Sequence, residues 1–378
     1  MGEGNELLVA YGTDSTVSGG AGDDVLIAAG TFTQLDGGAG NDLILSAGLK
    51  NILMGGSGND ILIGLGEYNT FSGGAGENIL LGVGLKNTYI LSGGYDYIVN
   101  YGASAIVYSY GLYNLIYQGA DDSVYYGGNG TSTFLAAEPV SGVNARDVVS
   151  VTYRGGAGSE FYELSGTATS VYSGDGKDIF LISDKAKEVY VRDLNSNDSI
   201  VIARNAISDI AFANVDDHLY IFYKDMQQRI GFVEFDAWFD RPANQANLYI
   251  DAEINGSISG RRVTAEYINE HASKLSYAEL DSMRSSLGSS GNPSLGQYRL
   301  GASYSELLID QRFSVDGVDT VKDFNWSGIS ASVGASHSSS NAFIAAAALF
   351  NPEDAMLNAT NYINNFSQAF SAISANQP

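Results

Sequence analysis

Gly19-Gly20-Ala21-Gly22-Asp23-Asp24-Val25-Leu26-Ile27 is one unit of a nine-residue repeat that runs without insertion from Met1 to Leu135. Stepping outward from it in nines puts an apolar side chain at the eighth position every time. The series reads Leu8, Val17, Leu26, Leu35, Ile44, Leu53, Leu62, Phe71, Leu80, Tyr89, Ile98, Val107, Ile116, Tyr125 and Phe134. A short fixed period with one invariably apolar slot predicts a solenoid whose units stack around one continuous core.

The sixth position splits by parity. Odd repeats carry Glu6, Asp24, Asp42, Asp60, Asn78, Asp96, Asn114 and Ser132, spaced by eighteen; even repeats carry Ser15, Thr33, Asn51, Asn69, Asn87, Ala105 and Ser123. If nine residues make one turn and one short strand, eighteen make a full coil, and alternate turns stack on opposite edges. One edge is then acidic and the other neutral. Like charges stacked coil upon coil repel, so the acidic edge calls for a cation. Calcium suits it, as a hard ion taking six to eight oxygens from carboxylates and from carbonyls of glycine-rich loops. On the neutral edge, Asn51, Asn69 and Asn87 share one level. Either they form an amide ladder, or Asn simply tolerates the turn conformation there.

Gly-Gly-x-Gly-x-Asp-x-apolar-x resembles the signature of the RTX (repeats-in-toxin) family. Gly19–Ile27, Gly37–Leu45 and Gly55–Ile63 match it fully, whereas Gly73–Leu81 departs at Asn78. The resemblance implies a parallel β-roll that binds several Ca2+ ions through the sixth-position Asp and neighbouring carbonyls. The implied metal residues of the first roll are Gly20, Gly22, Asp24, Gly38, Gly40, Asp42, Gly56, Gly58, Asp60, Asn78 and Asp96.

Composition agrees with that expectation. The chain has 43 acidic and 19 basic residues, a net charge of −24 and no cysteine. Such a charge argues against nucleic acid and anionic membrane as direct partners, and no disulfide supports the fold. No apolar run reaches the length of a transmembrane helix, and no Sec-type leader opens the sequence. The first repeat is already in register, so the expectation is a C-terminal portion of a longer protein, with partner domains upstream.

From Tyr95 to Tyr126 the repeat becomes tyrosine-rich while the acidic residues fade, so aromatic packing is expected to take over from the cation. Residues 136–145, with Pro139, break the register. A second, shorter roll is expected over 146–200, where Gly155–Glu163 brings Glu160 and Ser173–Leu181 brings Asp178. Val189–Ile200 resembles the strand and acidic turn that close many RTX rolls, which adds Asp193 and Asp198 as ligands. An antiparallel β cap over 201–250 follows, with strands at Asp209–Ala213, Leu219–Tyr223 and Ile230–Phe235 ending at Trp238-Phe239. This run is similar to the capping segment of haemolysin- and leukotoxin-type RTX toxins.

Helices are expected over 251–288. Thr264 caps one running to about Leu275, and Ser276 with Glu279 forms a capping box for the next. Gly288–Leu295 reads as a linker. Within the C-terminal region 289–378, Asn351 caps an amphipathic helix whose apolar face carries Met356, Ala359, Ile363, Phe366, Phe370 and Ile373. In the family this region holds the uncleaved signal read by type I secretion machinery.

No catalytic constellation appears. His218, His271 and His337 are far apart and outside any zinc motif, and no Gly-x-Ser-x-Gly elbow occurs. The expectation is therefore a secreted, non-enzymatic, calcium-binding export module. The alternatives are an adhesin that binds a host cell surface or glycan through the tyrosine-rich face, and an accessory module of a secreted enzyme.

Overall fold

The computed structural model describes residues 2–93, 95–100, 102–111, 113–118, 123–128, 131–136, 151–166, 168–203, 210–224, 230–254, 258–284 and 310–313. It is mainly β, with two parallel strands to each solenoid coil and few helices. The described residues fall into two compact units, one within Met1–Ala120 and the other within Asp121–Ala137 and Ala145–Thr320.

In the first unit, strands of the odd repeats form one parallel sheet, among them Leu7–Thr13, Val25–Thr31, Leu43–Leu49, Ile61–Leu65, Glu77–Val83 and Tyr95–Asn100. Strands of the even repeats form the other, among them Thr16–Ala21, Gln34–Ala39, Ile52–Ser57, Thr70–Ala75 and Thr88–Leu91. Pairing is parallel and shifted by one eighteen-residue coil throughout, as in Leu26↔Ile44 and Leu35↔Leu53. The eighth-position residues of both sheets point inward and meet. From Leu26 through Ile116 they are fully buried, and Phe71 and Tyr89 stack with ring centroids 4.8 Å apart.

The two sheets differ on their outer faces. In the odd sheet the flanking residues Val25, Ile27, Leu43, Leu45, Ile61 and Ile63 are buried too. A parallel strand buried on both faces reads as an unbroken apolar run, which is why Val25-Leu26-Ile27 and Ile61-Leu62-Ile63 lack alternation. In the even sheet the equivalent positions, such as Gln34, Ile52 and Met54, are partly or fully exposed.

The second unit begins with the same coil. Phe161↔Ile179 and Val151↔Thr169 pair in parallel, and Tyr162 stacks on Phe180 at 5.2 Å. The next coil grows to twenty residues, pairing Phe180 with Ile200. The parallel pattern then gives way to antiparallel strands. Ile230–Phe235 runs parallel to Glu188–Arg192 but antiparallel to His218–Lys224, which pairs with Ile210–Val215. The antiparallel cap thus stands where alternation placed it. Ala211, Ala213, Val215, Tyr220, Phe222, Phe232 and Leu280 form its core.

Residues 251–254 and 258–263 differ from the helical expectation. Asn247–Ile254 and Ile258–Val263 are antiparallel strands, and Asp310–Phe313 pairs with the second of them. Leu248, Ile250 and Val263 have the spacing of strand residues buried on a sheet. Helix α1 (Ala265–His271) is N-capped by the Thr264 hydroxyl, which accepts from the Tyr267 amide. It stops at His271, short of Leu275, because Ser273-Lys274 pairs as a strand with Ala213-Asn214. Helix α2 (Tyr277–Arg284) starts on the predicted box, where Ser276 N and Oγ both donate to Glu279 Oε2 at 2.8 Å. No described helix is long and apolar enough to cross a membrane. The expected register break, the linker and the C-terminal helix at Asn351 lie outside the described residues.

Candidate functional site

The turns on the acidic edge are built by glycine. Gly20, Gly22, Gly38, Gly40, Gly56 and Gly58 all have φ between 107 and 131°, a region that excludes side chains at no cost only for glycine. Close stacking adds a second requirement. A Cβ built on Gly56 would stand 2.1 Å from the Gly38 carbonyl oxygen, and one on Gly58 would stand 1.9 Å from that of Gly40. The repeated glycines therefore let successive turns touch, backbone upon backbone.

This close stacking aligns the sixth-position side chains, which turn into the coil and are buried. Each Oδ1 accepts the sixth-position backbone N–H of the coil before. Glu6 N donates to Asp24 at 2.8 Å, Asp24 N to Asp42 at 2.8 Å, and Asp42 N to Asp60 at 2.8 Å. Asp60 N donates to Asn78 at 3.0 Å and Asn78 N to Asp96 at 3.3 Å, so Asn78 keeps the ladder although it lacks the charge. The second unit repeats the pattern, with Glu160 N on Asp178 at 2.9 Å and Asp178 N on Asp198 at 3.0 Å. Asp193 is not on this ladder; it is exposed, in a left-handed turn at φ 56°.

The neutral edge makes the same bond. Thr33 N donates to Asn51 Oδ1, Asn51 N to Asn69 and Asn69 N to Asn87, at 2.8–2.9 Å. The ladder is thus side chain to backbone, and the left-handed residue is the one before each Asn. What separates the edges is the second terminal atom. Asn51 Nδ2 donates to the Gly30 carbonyl and to Ser46 Oγ. A carboxylate oxygen in that place can only accept. Asp60 Oδ2, Asp96 Oδ2, Asp178 Oδ2 and both Glu160 oxygens are buried without a donor.

A buried carboxylate without a donor must bind a proton or a cation. Burial, reinforced by the charges of Asp42 and Asp96, pushes Asp60 up to about 7. Burial likewise raises Asp96 to about 6 and Asp198 to about 6. Burial raises Glu160 to about 7, with the charge of Asp198 adding to it, and Asp178 to about 9, with the charges of Glu160 and Asp198 adding to it.

Two features of this edge escaped the sequence reading. The first glycine of each motif matters as much as the second and fourth, since a Cβ on Gly55 would fall 2.3 Å from Asp60 Oδ2. The fifth position forms its own ladder in the opposite sense. Asp23 N donates to Asn5 Oδ1, Asn41 N to Asp23, Asn59 N to Asn41 and Glu77 N to Asn59, at 2.7–2.9 Å. The run Asn5, Asp23, Asn41, Asn59 at eighteen-residue spacing was the available signal.

A third titratable group lies in the cap, where His218, Glu234 and Asp236 converge. The Arg192 guanidinium already contacts both carboxylates, and Tyr220 donates to Glu234 Oε2 at 2.6 Å. These carboxylates thus already have partners within the protein. No family model matches the chain, and a comparison with characterised proteins gave no significant match.

Proposed function

We propose that this chain is a calcium-dependent folding and export module of the RTX type. Its acidic edge binds Ca2+ and locks the solenoid. The observation that carries the reading is the line of buried carboxylate oxygens without donors, found among the described residues on one edge, beside an Asn ladder of the same geometry on the other, where Asn51 is satisfied. A hard cation suits all-oxygen donors of this kind. Asp24, Asp42, Asp60, Asp96, Glu160, Asp178 and Asp198 would hold it, with glycine carbonyls of the turns as further oxygens. The ion would supply positive charge to these carboxylates.

In this reading the chain stays open where calcium is scarce, leaves the cell through a type I channel, and folds outside, where it aids the folding of upstream domains. Chelated protein titrated with calcium and followed by circular dichroism tests it. A gain of β-structure that is lost in the Asp60→Asn/Asp96→Asn/Asp178→Asn variant is expected. A full β-solenoid in chelator at pH 7.5, unchanged by calcium, would overturn it.

A further inference from the structure

The neutral edge of the first unit carries a second regular feature, one residue before its Asn column. Asp14, Phe32, Lys50, Tyr68, Lys86 and Ser104 occupy the fifth position of successive even repeats, and all have left-handed backbones with φ of 54–58°. Glycine and asparagine adopt that region readily, and bulky side chains do not. Yet the four central coils hold Phe, Lys, Tyr and Lys, and all four side chains are exposed. They alternate and touch. Lys50 Nζ lies 5.1 Å from the centre of the Phe32 ring, and Lys86 Nζ lies 5.2 Å from that of Tyr68 while donating to its hydroxyl at 3.1 Å. Leu49 and Leu85, next to the lysines, are exposed as well.

Charge singles out the same stripe. Between Met1 and Ala120, Lys50 and Lys86 are the only basic side chains, against eleven Asp and Glu. Asn or Gly at these positions would relieve the backbone and leave the Asn ladder in place. Strained, exposed rings and lysines that alternate coil after coil point to a surface kept for a ligand.

We propose that this stripe binds a linear acidic polysaccharide. Coils stack at the strand spacing of ~4.8 Å, so equivalent residues recur every ~9.6 Å, the length scale of a disaccharide in an extended glycan. The rings offer flat apolar faces to sugar C–H groups, and the ammonium groups between them pair with carboxylates or sulfates. A polymer of alternating anionic and neutral sugars matches this alternation of cation and ring. A bilayer has no such period along its surface. Glu67 precedes Tyr68 in the coil between the two lysines, so it opposes an anionic ligand.

The test uses the full chain in calcium, with chondroitin sulfate oligomers as the probe and neutral chito-oligosaccharides and phosphatidylserine vesicles as comparisons. Calorimetric binding to the sulfated oligomer is expected, weakened at least tenfold in Lys50→Gln/Lys86→Gln. Glu67→Gln should tighten it several-fold. Phe32→Asn/Tyr68→Asn should lose at least tenfold in affinity while its melting temperature stays level or rises, because Asn suits the left-handed turn. The proposal fails if the parent protein does not bind the oligomer, or binds the neutral sugar equally well. It fails equally if only vesicles bind, or if Phe32→Asn/Tyr68→Asn binds as the parent does.

Discussion

At the scale of single residues, the sixth position shows how one atom sets the chemistry of an edge. Asp and Asn present the same Oδ1 to the same backbone N–H, and only the second atom distinguishes a donor from an acceptor. Asp60→Asn should therefore preserve the ladder, as Asn78 does in the next coil. In chelator at pH 8 this variant is expected to be more stable than the parent, and its calcium midpoint should move to higher concentration. Urea unfolding with and without calcium reads both. The glycines behave differently, because their role is steric. Gly56→Ala combines φ 111° with a Cβ placed 2.1 Å from the Gly38 carbonyl oxygen. It should lose more than about 2 kcal/mol even in saturating calcium. If its unfolding midpoint in calcium matches that of the parent, the backbone stacking described for this edge is wrong.

At the scale of elements, the period of nine was legible because every coil needs the same few things. It needs one inward apolar residue, glycines where backbones touch, and an Asx side chain for the orphan amide. The antiparallel cap and the Ser276–Glu279 box were legible for the same reason, since local pattern and observed bonds agree. The left-handed turns were not legible, because Phe32, Lys50, Tyr68 and Lys86 break the residue preference that would have signalled them. Nor was the early end of α1, which a pairing with a strand 60 residues upstream imposes at Ser273-Lys274. In the cap, Arg192 joins Glu188–Arg192 to Ile230–Phe235 through the buried Glu234. Arg192→Ala would leave that carboxylate in the core without its cation, at a cost of about 2–4 kcal/mol. Because the loss is confined to the cap, calcium affinity of the first unit should be unchanged. A fall in that affinity equal to the fall in stability would contradict such independence.

At the scale of the whole molecule, the unpaired carboxylates within each unit act together, since in a solenoid each coil depends on its neighbours. Two conditions satisfy them, a cation or a proton, and this gives a prediction with a definite sign. The pKa of each of Asp60, Asp96, Glu160, Asp178 and Asp198 is higher in the folded chain than in the open one, because burial disfavours the anion. The metal-free fold therefore binds more protons than the open chain across the interval between the two values. Its stability is fully present below the ordinary carboxylate range and is lost as pH rises through about 6 to 9. Asp60 alone, displaced from 3.8 to about 7, contributes on the order of 4 kcal/mol to that loss. Chelated protein should thus gain β-structure on acidification from pH 8 to pH 5. At pH 8 calcium should restore the same spectrum, cooperatively, at about 10⁻⁴–10⁻³ M. The two routes should also exclude each other, with the calcium midpoint rising as pH falls because protons compete for the same oxygens. A calcium midpoint independent of pH between 5 and 8 would mean that the ion binds elsewhere than on this edge. Calcium-induced folding without acid-induced folding would mean that the burial of these carboxylates is itself a consequence of the metal.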